Sequence, residues 1–215
     1  MRRLVILRPE PGASRTAARA EAKGLQVRLM PLFSVVPIEW TAPDPAKFDA
    51  VVLTSANAVR HAGEELQKLK SLPAHAVGKA TAELARAAGF RIASVGEGGS
   101  RDMGLPPGQR LLHLAGRDHL PTGATMTIPV YEARRIEAPE GLASLPGSIV
   151  LVHSPRAGRR LAELVKDRGG IAVAAISPAV AAACGGGWQC LEAAPAPTDE
   201  ALLALAASLC ERLSP

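Results

Sequence analysis

Two stretches share a pattern able to do chemistry: LTSANAVRHA at 53–62 and LVHSPRAGRR at 151–160. Each is an apolar run that ends in Thr or His, passes through Ser and enters a helix-like stretch. A serine at that handover, Ser55 or Ser154, has a hydroxyl that can cap a helix start or bind a ligand oxygen. The helix start adds free N–H groups and the positive end of a dipole, which together attract anions. Taken singly, such a serine reads first as a cap. Similar junctions recur at 8–14, 78–81 and 177–180 and bring in Thr81 and Ser177. Arg8, Asn57, Lys79 and Arg156 lend polar or cationic reach. The set suits a large ligand with several carboxylates or phosphates, held between two domains.

Other chemistries fit poorly. A dinucleotide site wants G-x-G-x-x-G after the first strand, and that place reads RPEPGASRT. GEGGSR at 96–101 has part of the spacing, CGGGW at 184–188 ends a helix, and there is no P-loop. A phosphoacceptor domain wants Asp at a strand end, where this chain has Arg8, Thr54 and His153. The three cysteines make no C-x-x-C pair, and the five histidines show no metal-ligand spacing. No metal site is expected. The net charge of +5 favours an anionic partner, but no Lys/Arg block or aromatic interleaving marks a nucleic-acid binder.

Elements that position these residues follow from periodicity and punctuation. Short apolar strands are predicted at 3–9, 25–31, 50–54, 74–77, 90–95, 110–116, 148–153, 171–176 and 188–193. Helices are predicted at 12–24, about 56–70, 79–88, 155–168, 178–184 and 198–213, with Ser14 and Thr198 as candidate caps. Segments 32–40 and 125–137 are extended and carry Pro37 and Pro129, with Pro37 arguing against a central sheet position. Residues 96–109 read as a loop, and RDHLPTGA is too short for a good helix. Strands alternating with helices mean α/β with parallel sheets. With aromatics at 3%, the core is expected to be Ala, Val, Leu and Ile.

The chain also echoes itself. Shifted by 99, Leu53–Ser55 falls on Val152–Ser154 and Val77–Ala80 on Ile176–Ala179. A duplicated unit follows, with Leu111–Gly116 opening one half as the first strand opens the other. The expected fold is two doubly wound, flavodoxin-like parallel-sheet domains joined by a two-stranded antiparallel linker. The outer domain takes 1–38 and 132–215, the inserted domain 39–131, and the linker strands about 32–40 and 125–137. The N-terminal apolar run is too short for a signal, and no stretch spans a bilayer, so no membrane partner is expected and the location is expected to be cytoplasmic. The inferred cleft needs no second subunit, so a monomer is expected.

The ordered motifs VILRPEPG (5–12), FDAVVLTSANAVRHA (48–62), AVGKATAELARAAGF (76–90), VYEARR (130–135), SIVLVHSPRAGRRLAEL (148–164) and AAISPAVAAAC…CLEAAPAPTDEALLALA (174–206) resemble the uroporphyrinogen-III synthase family. The resemblance implies two α/β domains on a two-stranded ladder. It implies a reaction without cofactor or metal: hydroxymethylbilane loses water, its last pyrrole ring inverts and the macrocycle closes. That linear tetrapyrrole carries eight carboxylates. Loss of the hydroxyl makes an azafulvenium cation, ring D attacks to give a spiro intermediate, and fragmentation lets ring D rejoin reversed. Tyr131 matches the family tyrosine of the second crossing segment. A free phenol, with a pKa of about 10, is a weak acid at pH 7, so an assisting hydrogen bond is the expected role. Three departures stand out. RDHLPTGATM is short where the family has room for a longer helix, so the middle sheet is expected to end in a weaker edge. Ala179 and Val180 replace threonines. Asn57 replaces a common arginine, which shifts the charge to Arg60 or Lys79. A non-catalytic binder of a polycarboxylate or tetrapyrrole is the alternative.

Overall fold

The computed structural model describes residues 2–96 and 107–213, and strands alternate with helices through most of it. The chain begins with β1 (Leu4–Ile6), α1 (Gly12–Glu21), β2 (Val27–Leu29) and β3 (Phe33–Pro37). It continues with β4 (Ala50–Leu53), α2 (Ala56–His61), β5 (Ala74–Val77), α3 (Lys79–Ala87) and β6 (Ile92–Gly96). Next are β7 (Leu111–Gly116), β8 (Met126–Arg135), β9 (Ile149–Val152) and α4 (Pro155–Leu164). The last are β10 (Ala172–Ala175), α5 (Pro178–Cys184), β11 (Cys190–Ala193) and α6 (Asp199–Arg212). Most of the loop read at 96–109 lies outside the described residues.

By internal contacts the chain forms two compact units, residues 1–34 with 135–215 and residues 35–134. The first holds the sheet β11-β10-β9-β1-β2, parallel at every pair. Leu4, Ile6, Ile149 and Leu151 face α1 and α6, where they meet Ala13, Ala17, Leu202 and Leu209. The alternate residues point the other way, yet Val150 and Val173 are also fully buried, because α4 and α5 cover that face. Burial on both faces is why these strands read as unbroken apolar runs. Each fully buried Val, Leu or Ile contributes about 1.5–3 kcal/mol, and such residues with alanine make up most of the core.

The second unit holds β3-β8-β7-β4-β5-β6, parallel from β8 to β6. Its parallel part repeats the first sheet, with β4 in the place of β9 and β7 in the place of β1. The starts of β4 and β9, of α2 and α4 and of α3 and α5 are each 99 apart (50 and 149, 56 and 155, 79 and 178). The duplication read in the sequence is therefore present in the strand order. In both sheets the order reverses at one point, between β1 and β9 and between β4 and β7. Open α/β sheets bind ligands outside the carboxyl ends of the strands at such a reversal.

The extended segments pair with each other. Ile38 N–H donates to Val130 O at 3.0 Å and Ile136 N–H to Leu32 O at 3.0 Å. One partner number rises as the other falls, so β3 and β8 run antiparallel. They are not a free-standing linker, because the amino half of β8 also pairs with β7. That pairing answers the expectation of a weak edge: β3 covers β8, and Pro37 sits on the edge strand, where a missing N–H costs no ladder bond.

Several helix ends differ from the reading. Ser14 does not cap α1. Helix α1 starts at Gly12, and Glu10 accepts from the Ser14 N–H at 3.1 Å and the Ser14 hydroxyl at 2.7 Å. The helix expected over 56–70 stops at His61 and continues as 3-10 turns, because Gly63 takes φ +65°. Helix α4 stops at Leu164, where Arg168 donates to the Ala162 and Val165 carbonyls at 2.6 and 3.0 Å.

Candidate active site

In the second unit the site is built by a proline. Pro129 lies opposite Ala115 and has no N–H to give the ladder. The register slips there, so that Gly116 pairs with Tyr131. The Tyr131 ring then lies on the Gly116 Cα: a Cβ at 116 would stand 2.7 Å from Cζ and 2.9 Å from the phenolic oxygen. The Tyr131 carbonyl accepts from Arg117 N–H at 2.8 Å, and the His61 ring centroid is 6.2 Å from that of Tyr131. Burial, and then the charge of Arg60, lowers the His61 pKa.

Beside it, at the β4–β7 reversal, His113 is fully buried with both ring nitrogens engaged. Thr54 Oγ1 is 2.9 Å from Nε2 and Thr122 Oγ1 is 3.3 Å from Nδ1. Burial, with the nearby His119, pushes the His113 pKa down to about 4, so the ring is neutral at pH 7. Its bond to Thr54 fixes the residue before Ser55. Ser55 caps α2 by accepting from Asn57 N–H at 3.2 Å. Asn57 Oδ1 in turn accepts from Arg60 Nη1 at 3.1 Å, which brings the Arg60 charge to the helix start where the resemblance expects an arginine. Lys79 opens α3 and is exposed. Thr81 is only 6% exposed, so its side chain faces the packing of α3 rather than the sheet edge.

In the first unit Ser154 caps α4 from Ala157 N–H at 3.2 Å, and Ser177 caps α5 from Val180 N–H at 3.4 Å. Pro155 and Pro178 occupy the first helical position, where the absent N–H is no loss. Val180 is buried and Ala179 exposed, so Ser177 holds the hydroxyl of that turn. The Arg156 guanidinium lies 4.5 Å above the Phe33 ring centroid, in cation–π range.

Arg8, two residues beyond β1, is drawn into a cluster at the β1–β9 reversal. Its Nη1 lies 3.0 Å from Asp199 Oδ1 and 3.2 Å from Thr16 Oγ1. Thr16 donates to Asp199 Oδ2 at 2.8 Å, and Arg19 does so at 3.1 Å. Burial alone would raise the Asp199 pKa, but Thr16, Arg8, His153 and Arg19 together hold it below the ordinary value. His153 Nε2 is 3.2 Å from Asp199 Oδ1, yet neither ring nitrogen has a partner in hydrogen-bond geometry. Burial and the Arg8 charge push the His153 pKa down to about 4, so the contact is not an ion pair at neutral pH.

The sequence reading missed His113, Asp199 and the partners of His153. A histidine inside LLHLAG, where every neighbour is apolar, was the available signal for the first. Nothing in the sequence signals Asp199, which closes its contacts across about 190 residues. Among the described residues no group of three or more His, Cys, Asp and Glu is placed to hold a metal ion, and no helix is long and apolar enough to cross a membrane.

Two units, each built on a parallel sheet whose carboxyl edge carries capped helix starts, hydroxyls and arginines, define an α/β protein. The family model described as uroporphyrinogen-III synthase HemD matches residues 14–204. The chain belongs to the uroporphyrinogen-III synthase family. Its activity is the family's lyase-type cyclisation in tetrapyrrole and haem biosynthesis. The fold is similar to that of uroporphyrinogen-III synthetase from Helicobacter pylori, at TM-score 0.68 and 19% identity over 97% of this chain and 100% of that one. It is also similar to a mutant uroporphyrinogen III synthase from the extremely thermophilic bacterium Thermus thermophilus, at TM-score 0.56 and 16% identity over 98% and 100%. No curated protein gave a significant sequence match.

Proposed function

We propose that Tyr131 assists the departure of the hydroxyl from hydroxymethylbilane by a hydrogen bond, and that the sheet edges hold the substrate's carboxylates. The observation that carries this reading is the seat of Tyr131, pinned on Gly116 by the slip at Pro129. A phenol fixed against the carboxyl end of β7 is preorganised, and preorganised donors stabilise charge as it develops. Once the hydroxyl has left, the reaction is one of geometry. The substituted carbon of ring D must reach the azafulvenium carbon, and holding the chain in that pose lowers the barrier entropically.

The carboxylate contacts in this reading come from Arg8, Lys79 and Arg156, the Ser55, Ser154 and Ser177 turns, and Asn57 with Arg60. Thr81 contributes through its helix rather than its side chain. The domain boundaries are 1–38 with 132–215 and 39–131, each domain flavodoxin-like, and the enzyme works as a cytoplasmic monomer without a cofactor. The test is incubation with freshly made hydroxymethylbilane, oxidation of the product and separation of the isomers. Type III product is expected. Type I alone, as in spontaneous closure, would overturn the reading, and tetrapyrrole bound but unconverted would favour a non-catalytic binder.

A further inference from the structure

The first unit contains a cavity of about 330 Å³ lined by Arg8, Arg15, Arg19, His153 and Asp199, with Ile176 and Pro197 as its apolar wall. It sits at the β1–β9 reversal, between α1 and the start of α6. Three guanidinium groups converge on it against a single carboxylate. His153 is neutral at pH 7 and adds no charge, so the lining is left with an excess of positive charge. An adjoining cavity of about 680 Å³ shares Arg19 and Asp199 and is bordered by Lys23 and Glu200, which offset each other.

Asp199 leaves much of the donor set free. Arg8 commits Nη1 alone to Asp199 and Thr16, and Arg19 commits Nη1 alone to Asp199. Arg15 uses Nε on the Pro11 carbonyl. Each guanidinium has five N–H donors in a rigid fork that matches a carboxylate, so each keeps unspent donors. The His153 side chain is 7% exposed; its Nε2 lies 3.2 Å from Asp199 Oδ1, and neither ring nitrogen has a partner in good hydrogen-bond geometry. Buried polar atoms are normally satisfied, and a ring held in poor geometry beside a cationic cavity has room for a better-placed ligand oxygen.

We infer that this cavity is a carboxylate pocket that seats one acetate or propionate of the linear tetrapyrrole, with Asp199 as the resident counter-ion that keeps Arg8 and Arg19 aligned. The inference rests on the proposed substrate. It adds Arg15, Arg19 and His153 to the binding residues and gives Asp199 a positioning role. Arg15 and Arg19 lie on the exposed face of α1, so replacing them leaves the core untouched.

The experiment compares the wild type with R15A/R19A and R15K/R19K, using hydroxymethylbilane as substrate. The alanine pair is expected to raise KM about tenfold and hold kcat within about twofold, as loss of binding without loss of chemistry requires. The lysine pair is expected to recover part of that loss, because it restores the charge of α1 but not the guanidinium fork. An unchanged KM in the alanine pair, or a lysine pair as poor as the alanine pair, would overturn the inference. Wild-type protein releasing only the type I isomer would sink the functional reading, and this inference with it. In a second arm the His153 ring signals are followed by NMR. They are expected to shift on adding uroporphyrin III, which keeps the eight carboxylates, and to stay put in R15A/R19A. A shift with inorganic phosphate but none with the octacarboxylate would assign the pocket to free phosphate and overturn the proposal.

Discussion

The Tyr131 ring rests on the Cα of Gly116, so close that one added carbon would stand 2.7 Å from its Cζ. No real side chain tolerates that distance, so Gly116→Ala must move the phenol. Both Tyr131→Phe and Gly116→Ala are expected to lower kcat with little change in KM, each by roughly a hundredfold, the low end of what a proton-handling group contributes. Steady-state assay of the type III product measures it. A Gly116→Ala enzyme at full rate would remove the phenol's position from the mechanism.

His113 and His153 make stability depend on pH. Each has a folded pKa of about 4 against an ordinary 6.5. Between those values the unfolded chain binds more protons than the folded one. Stability is therefore fully present above pH 6.5 and is lost as pH falls towards 4. At about 1.4 kcal/mol per pH unit, each histidine withdraws roughly 3 kcal/mol across the window. Urea midpoints taken from pH 7 to pH 4.5 should fall steadily, and His113→Gln should flatten the slope. A midpoint that stays level would rule out neutral burial of these rings.

The contacts of His113 also support a local prediction. His113→Leu keeps the strand apolar but leaves Thr54 and Thr122 without their shared partner. Both hydroxyls are half-buried, so losing their partner costs about 1 kcal/mol, the low end for an unsatisfied group, and the variant should unfold at lower denaturant with an unchanged slope. Because Thr54 precedes the Ser55 cap, turnover should fall as well.

Ser154 holds the Ala157 N–H at 3.2 Å, and Ser177 holds the Val180 N–H at the longer 3.4 Å. Ser154→Ala should cost about 1 kcal/mol, the usual loss for a cap, and Ser177→Ala less. Thermal melts of the two variants would show the order. A Ser177→Ala variant that keeps its stability but raises KM would mark that hydroxyl as a ligand contact.

Much of the fold was legible in the chain. Strands buried on both faces must be apolar throughout, so β4 and β9 stood out as AVVL and IVLV, and the helices after them announced themselves by Ser, or by Ser and Pro. The spacing of 99 between β4 and β9 survives because both strands occupy the same sheet position. Helix ends were less legible. Glu10 at the start of α1, Gly63 after α2 and Arg168 beyond α4 settle them through local hydrogen bonds and one positive φ, which periodicity does not carry.

By itself the sequence determined the α/β class, the duplicated strand-to-helix junctions and the family, because these depend on local pattern and motif order. Only the tertiary structure decided which side chains meet. A strand pairing slipped by Pro129 put Tyr131 on Gly116, and the parallel order of β1 and β9 brought Arg8 and His153 to Asp199. Those meetings join residues far apart in the chain, and their geometry is set by sheet register, which hydrophobic periodicity does not encode.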